Sequence, residues 1–117
     1  MNNVVFFEVL GKDGADLRAF YEAAFGWKMS PIPGPMDYSL VEGAGLRGGI
    51  GSASGDDPGR TTFYIGVVDI EAILQKIESL GGSRLGPPRP TPDGGQIAFF
   101  KDPESHIVGL FNNGSGS

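Results

Sequence analysis

A chain of 117 residues, 39% hydrophobic and 20% charged, with a formal net charge of −5, has the composition of one globular domain with a real core. Its acidity opposes nucleic-acid binding, which needs Lys and Arg to neutralise phosphates, and no apolar run approaches the roughly 20 residues of a membrane span. The absence of cysteine excludes disulfides, thiolate metal ligands and thiol nucleophiles.

Residues 1–7 lack a basic segment followed by a long apolar one, which predicts a cytoplasmic protein without a signal peptide. Val4 to Leu10 are β-branched and aromatic and too few for a helix, so a first strand with both faces covered is expected there. From Ala15 to Phe25, apolar Leu17, Phe20, Tyr21, Ala24 and Phe25 recur at three- and four-residue steps, with Asp13 or Asp16 as start and Gly26 as stop signal. This predicts an amphipathic helix.

Three short stretches follow, Trp27 to Ser30, Tyr38 to Glu42 and Leu46 to Gly51, each bounded by Gly or Pro as in a meander. Gly48-Gly49-Ile50-Gly51 reads as strand or bulge rather than as a phosphate-cradling loop, since no phosphate-loop or dinucleotide motif surrounds it. Residues 52–60 are polar and rich in turn formers, marking an internal boundary. The order then repeats: strand Thr61 to Val68, helix Ile70 to Leu80 with Asp69 as N-cap and Gly81 as stop, and strands Ser83 to Leu85, Gln96 to Lys101 and Ile107 to Phe111. Phe6 to Gly26 and Thr62 to Gly81 are nearly equal in length, as duplication requires. The predicted class is α+β, with two βαβββ repeats (about 3–51 and 61–111) forming a curved mixed sheet around a central cleft. Residues 112–117 read as a flexible tail.

Val4-Val5-Phe6-Phe7-Glu8-Val9, Phe20-Tyr21-Glu22-Ala23-Ala24-Phe25-Gly26-Trp27, Val68-Asp69-Ile70 and Asp102-Pro103-Glu104-Ser105-His106-Ile107-Val108-Gly109-Leu110 together resemble the vicinal oxygen chelate superfamily. That superfamily contains glyoxalase I, bleomycin-resistance proteins, fosfomycin-resistance enzymes and extradiol dioxygenases, and the resemblance spans residues 3–111. It implies a glyoxalase-like domain, usually a homodimer, in which His, Glu or Gln from the first and fourth strands of each half chelate a divalent ion. The matching positions here hold Phe6, Thr62 and Gly109, with Arg47, Gly48, Gly49 and Ile50 around the remaining one. Phe and Gly offer no donor, Arg is cationic, and a lone Thr hydroxyl is a poor ligand. No metal and no other cofactor is therefore expected.

If Phe6 faces the cleft, the two-residue period turns Glu8 the same way, and Thr62 takes Tyr64 with it. A carboxylate in apolar surroundings can act as a general base or receive a cation; equally, Glu8 can be tied to a neighbour and merely order the strands. Tyr38 and Tyr64 offer aromatic faces and hydroxyls, and the resemblance adds Ile97 and Phe99 to the second wall, with Gln96 and Trp27 near the rim; for all of these but Gln96 the competing reading is an ordinary core residue, and Trp27 is expected to pack after the helix end. The only histidine, His106, follows Asp102-Pro103 and reads as a turn residue, as do Asp102 and Glu104. Two functions stay open. One is metal-free binding or sequestration of a cationic or aromatic small molecule, as in the bleomycin-resistance branch. The other is a metal-independent isomerase or lyase with Glu8 as base; the emptied ligand positions argue against a metal-dependent glyoxalase or dioxygenase.

Overall fold

The structure, a computed structural model, describes residues 2–114. Its contacts divide the chain into two compact units, one formed by Phe6–Thr62 and the other by Phe63 onward together with the residues before Phe6. The class is α+β, as the sequence predicts.

The Phe6–Thr62 unit holds most of β1 (Val4–Gly11), then α1 (Gly14–Phe25), β2 (Lys28–Pro31), β3 (Tyr38–Glu42) and β4 (Arg47–Ser52). Its strands run in the order β2-β3-β4-β1. The first two pairings are antiparallel and β4–β1 is parallel. α1 begins where the Asp13 side chain accepts from the Asp16 N–H at 3.0 Å, satisfying one of the free donors of the first turn. It ends at Gly26, whose φ of 75° is the left-handed conformation that glycine adopts without steric cost.

The helix covers one face of this sheet. Val9, Val41 and Ile50 are buried beneath it, with Phe7, Leu17, Tyr21, Trp27, Met29 and Ala44 packed around them. Trp27 stacks on Tyr21 with ring centroids 5.3 Å apart. The apolar stripe is narrower than its sequence period suggests: Phe20 and Phe25 are exposed, as is Ala24. Leu17 and Tyr21, one turn apart, suffice to cover the strands, and the flanking apolar residues fall outside that arc.

The second unit contains β5 (Arg60–Gly66) from Phe63 on, α2 (Ile70–Ser79), β6 (Ser83–Arg84), β7 (Arg89–Pro90), β8 (Gln96–Lys101) and β9 (Ile107–Asn112). β5 and β9 are parallel, while β9, β6 and β7 all pair antiparallel with β8. Asp69 caps α2 through the Ala72 N–H at 3.0 Å. Ile70 and Leu74 are buried against Val67, Ala98, Phe100, Val108 and Leu110, with Ile65, Ile73 and Ile77 at the margin. Leu80 lies past the last turn and is exposed.

Three further expectations need correction. β1 is not covered on both faces along its length: Val4 and Val5 are exposed, and burial begins only toward Glu8 and Val9. β7 forms in the Pro-rich segment, where proline is tolerated because an edge strand need not donate every N–H. Asn112, assigned to the tail, ends β9; its side-chain amide donates to the carbonyls of Val67 (3.0 Å) and Val68 (2.6 Å) and its Oδ1 accepts from Gly114. Residues 115–117 of that tail lie outside the described residues.

Candidate functional site

In the Phe6–Thr62 unit, Phe7 and Val9 face the helix, so strand alternation turns Phe6 and Glu8 to the opposite face. The register across the sheet then matters. Glu8 pairs with Gly49 of β4, and Gly49 with Leu40 of β3. Because Gly49 carries no side chain, the Tyr38 ring lies over it, where a Cβ would collide with the phenol oxygen. The Tyr38 hydroxyl thereby reaches β1 and donates to Glu8 Oε2 at 2.8 Å. Glu8 is 9% exposed, so a carboxylate, a phenol and the Phe6 ring share the face that α1 leaves uncovered.

Tyr38 is fixed from its other side as well. Asp37 Oδ2 accepts from the Ser52 hydroxyl at 2.5 Å and Asp37 Oδ1 from Arg18 at 2.6 Å, while the Ser52 N–H donates to the Asp37 carbonyl at 2.9 Å. Ser52 Oγ also accepts the Gly14 N–H at the start of α1 at 2.9 Å. The Ser52 hydrogen bond, and then the Arg18 guanidinium, hold the Asp37 carboxyl below its usual range. This junction ties α1, the end of β4 and the start of β3 together beside Tyr38. Sequence reasoning missed all three residues, since nothing in their spacing links them.

The second unit repeats the arrangement with different chemistry. Tyr64, Gly109 and Phe99 form one row across β5, β9 and β8. Gly109 is again the gap, its missing Cβ replaced by the Tyr64 ring, and Tyr64 meets Phe99 edge-on at 5.6 Å. Ile97 lies on the same face as Phe99 by alternation and is half-buried. Gln96 does not belong there: it alternates with Ala98 and Phe100, which enter the core under α2, and is exposed. Thr62 is buried on β5. Thus the structure joins Glu8 to Tyr38 and Tyr64 to Phe99 among the expected site residues. Trp27 packs in the core.

The donor set does not fit a chelated divalent ion. Phe6 offers no donor, and the positions of Gly49 and Gly109 are covered by tyrosine rings, which leaves Glu8 as the one strong oxygen donor on these rows. Among the described residues no three His, Asp or Glu side chains gather where they could hold an ion. His106 is an exposed turn residue whose Nδ1 lies 3.0 Å from Asp102 Oδ2. Asp102 organises that turn, accepting from the N–H groups of Glu104 and His106 at 2.9 Å each. The His106 N–H is the main reason its carboxyl titrates below the usual range.

The pattern of the family called Glyoxalase/Bleomycin resistance protein/Dioxygenase superfamily matches residues 3–110. The chain belongs to that superfamily. Among its relatives is a protein of Mycobacterium bovis provisionally named glyoxylase CFP32, 30% identical over 108 residues; the match covers 85% of this chain but 41% of that longer protein. Solved structures with the same fold include the hypothetical protein BH1468 of Bacillus halodurans (TM-score 0.70, 18% identity, 94% of this chain and 93% of that one). Another is the Streptomyces coelicolor methylmalonyl-CoA epimerase in complex with 2-nitronate-propionyl-CoA (TM-score 0.73, 14% identity, 98% and 96%). A superfamily member from Vibrio splendidus gives a TM-score of 0.68 at 13% identity, covering 94% and 97%. At these identities the shared property is the glyoxalase-like fold.

Proposed function

We propose that this superfamily member is a small-molecule-binding protein that works without a metal. In this reading it holds a cationic or aromatic compound against the sheet face that carries Phe6, Glu8 and Tyr38. The observation behind it is the 2.8 Å bond from the Tyr38 hydroxyl to Glu8 across Gly49, which sets a buried carboxylate beside an aromatic ring on the face opposite α1. Such a pair suits a flat cation: the carboxylate supplies charge and the ring a π face. The net charge of −5 favours approach of a cation, and the glycines at two rows support a metal-free face. A cytoplasmic homodimer belongs to the same reading, because β2 leaves one of its edges unpaired within its unit and an open edge is readily covered by a second copy.

The test is a thermal-shift series of cationic, neutral and acidic aromatics at fixed ionic strength, with metal analysis of the same protein purified without chelator. A ligand that binds the native state raises Tm by mass action. The reading expects cations to raise Tm, Glu8→Gln to lose that shift with folding intact, and metal to remain far below one ion per chain. Stoichiometric metal, or cation binding indifferent to Glu8→Gln, would overturn it.

A second reading, a metal-independent isomerase or lyase, is favoured by the same contact, because a carboxylate paired with a phenol supplies both a base and a hydrogen-bond donor. Glu8 would take a proton from a carbon acid while Tyr38 stabilises the charge left behind. Deuterium incorporation from D2O into 2-substituted acids or thioesters, lost in Glu8→Gln, is its signature; no exchange in any such compound sinks it.

A further inference from the structure

The arginines of this chain differ in how they are neutralised. Arg18 pairs with Asp37 at 2.6 Å, Arg60 with Asp57 at 3.3 Å, and Arg84 with Glu71 at 2.6 Å and Glu78 at 3.2 Å. The carboxylates beside Arg84 raise its pKa further still. Arg47 and Arg89 are different: both are exposed, and neither side chain makes an ion pair or hydrogen bond among the described residues. In a chain with 14 acidic residues against 9 basic ones, an arginine without a carboxylate partner is the less expected outcome.

Only for Arg47 does position give this meaning, because Arg89 lies on β7 in the other unit. Arg47 is the first residue of β4 and pairs with Phe6 in the parallel ladder, two positions before Gly49, which pairs with Glu8. A side chain on Gly48 would meet the Phe7 ring and one on Gly49 the Tyr38 hydroxyl. The strand therefore alternates regularly, and Arg47 shares the face of Gly49, Tyr38 and Glu8. Arg47 and Glu8 are offset by two residues, roughly 7 Å, along the strand direction, and Phe6, the ladder partner of Arg47, shares their face. They form no ion pair, and Glu42, the last residue of β3, bonds to Ser30 Oγ at 3.3 Å.

We infer that the ligand of this face carries an anionic group for Arg47 as well as a cationic or N–H donor group for Glu8, joined through a flat apolar body that lies on Phe6 and Tyr38. The chemical class is a zwitterionic aromatic, of the kind an aromatic amino acid or an amine-bearing aromatic acid represents. A planar guanidinium presents paired N–H donors matched to a carboxylate, and opposite charges at the two ends of an apolar strip fix a ligand's direction as well as its identity. The inference rests on the proposed reading of Glu8 and Tyr38 as ligand-facing.

Three probes with one indole body separate the parts: tryptamine carries the amine alone, indole-3-propionate the acid alone, and tryptophan both. Calorimetric titration of the full chain at fixed ionic strength should show tryptophan binding about tenfold more tightly than either partial probe, the difference one charge-assisted pair commonly supplies. Arg47→Gln should bring tryptophan down to the tryptamine level and leave tryptamine unchanged. Lys12→Gln, which removes an exposed cation from the turn before α1, should change none of the three. If Arg47→Gln leaves the tryptophan-to-tryptamine ratio as in the parent, the anionic subsite is overturned while tryptamine binding upholds the Glu8 reading. If Lys12→Gln and Arg47→Gln act alike, the effect is general charge and the inference fails. If none of the three probes binds, both readings fall.

Discussion

The Tyr38 hydroxyl donates to Glu8 at 2.8 Å, and the bond exists because Gly49, between them in the ladder, has no side chain. Gly49→Ala places a methyl group where the phenol oxygen lies. The ring must swing away, so the bond breaks and packing is strained, a combined loss of about 1–3 kcal/mol. Tyr38→Phe should cost about 1–2 kcal/mol in the parent chain and much less in the Gly49→Ala background, where the bond is already gone. Urea denaturation of the four proteins measures this; full additivity would show that Gly49 does not act through Tyr38.

The second row supports a parallel prediction about metal. Tyr64 covers Gly109, so Gly109→Glu sets a ligand-type residue against the aromatic ring and places no second donor beside it. Metal content after incubation with Zn²⁺ and desalting should stay as low as in the parent, and stability should fall by about 1–3 kcal/mol through overpacking. One bound ion per chain would show that the ring yields readily. Tyr64→Ala in the same chain should recover part of the lost stability by vacating the space.

Helix positions were legible from the sequence because caps and stops are local: Asp13, Gly26 and Asp69 each act through groups a few residues away. The face toward which β1 turns Glu8 followed from alternation, which is also local. Its partner did not. Tyr38 meets Glu8 only through the pairing of β1, β4 and β3, and a single sequence carries no signal for that register beyond the glycines. Gly48 and Gly49 read as strand or bulge, and the structure has the regular strand, where neighbouring rings occupy the volume a Cβ would need, the other common reason for glycine in a strand. Phe20, Phe25 and Leu80 fit the helical period but are exposed, since periodicity alone does not say how wide an arc the sheet covers. The Asp37 junction was invisible for the same reason as the Tyr38 contact.

Acid should weaken the Asp37 junction in a calculable direction. Its carboxyl lies below the ordinary value of 3.8 through the Ser52 hydrogen bond and the Arg18 guanidinium. A carboxyl depressed in the folded state stabilises it above the unfolded pKa, and that contribution is lost as pH falls through the lower folded value. Glu71, held down chiefly by Arg84, and Asp102 act in the same sense. Stability measured by urea denaturation should thus be level from about pH 5 to 7 and fall below about pH 4. Asp37→Asn should lower the plateau and flatten the acid limb, because the group that titrates is gone. An unchanged slope in Asp37→Asn would remove Asp37 from the account.

Asn112 extends the ordered chain beyond the point at which composition turns to Asn, Gly and Ser. Its amide bridges the carbonyls of Val67 and Val68, where β5 has ended and α2 has not begun, so those carbonyls lie outside the regular ladder and need a donor. Asn112→Ala removes both bonds and the acceptor for Gly114. A loss of about 1–2 kcal/mol is expected. Asn112→Asp should be at least as damaging, because a carboxylate cannot donate to a carbonyl. Truncation after Asn113 retains both bonds to Val67 and Val68 and should stay within about 0.5 kcal/mol of the full chain. Truncation after Phe111 should match Asn112→Ala or exceed it. Equal stability of the two truncated chains by urea denaturation would mean that these hydrogen bonds do not hold the end of β9 in solution.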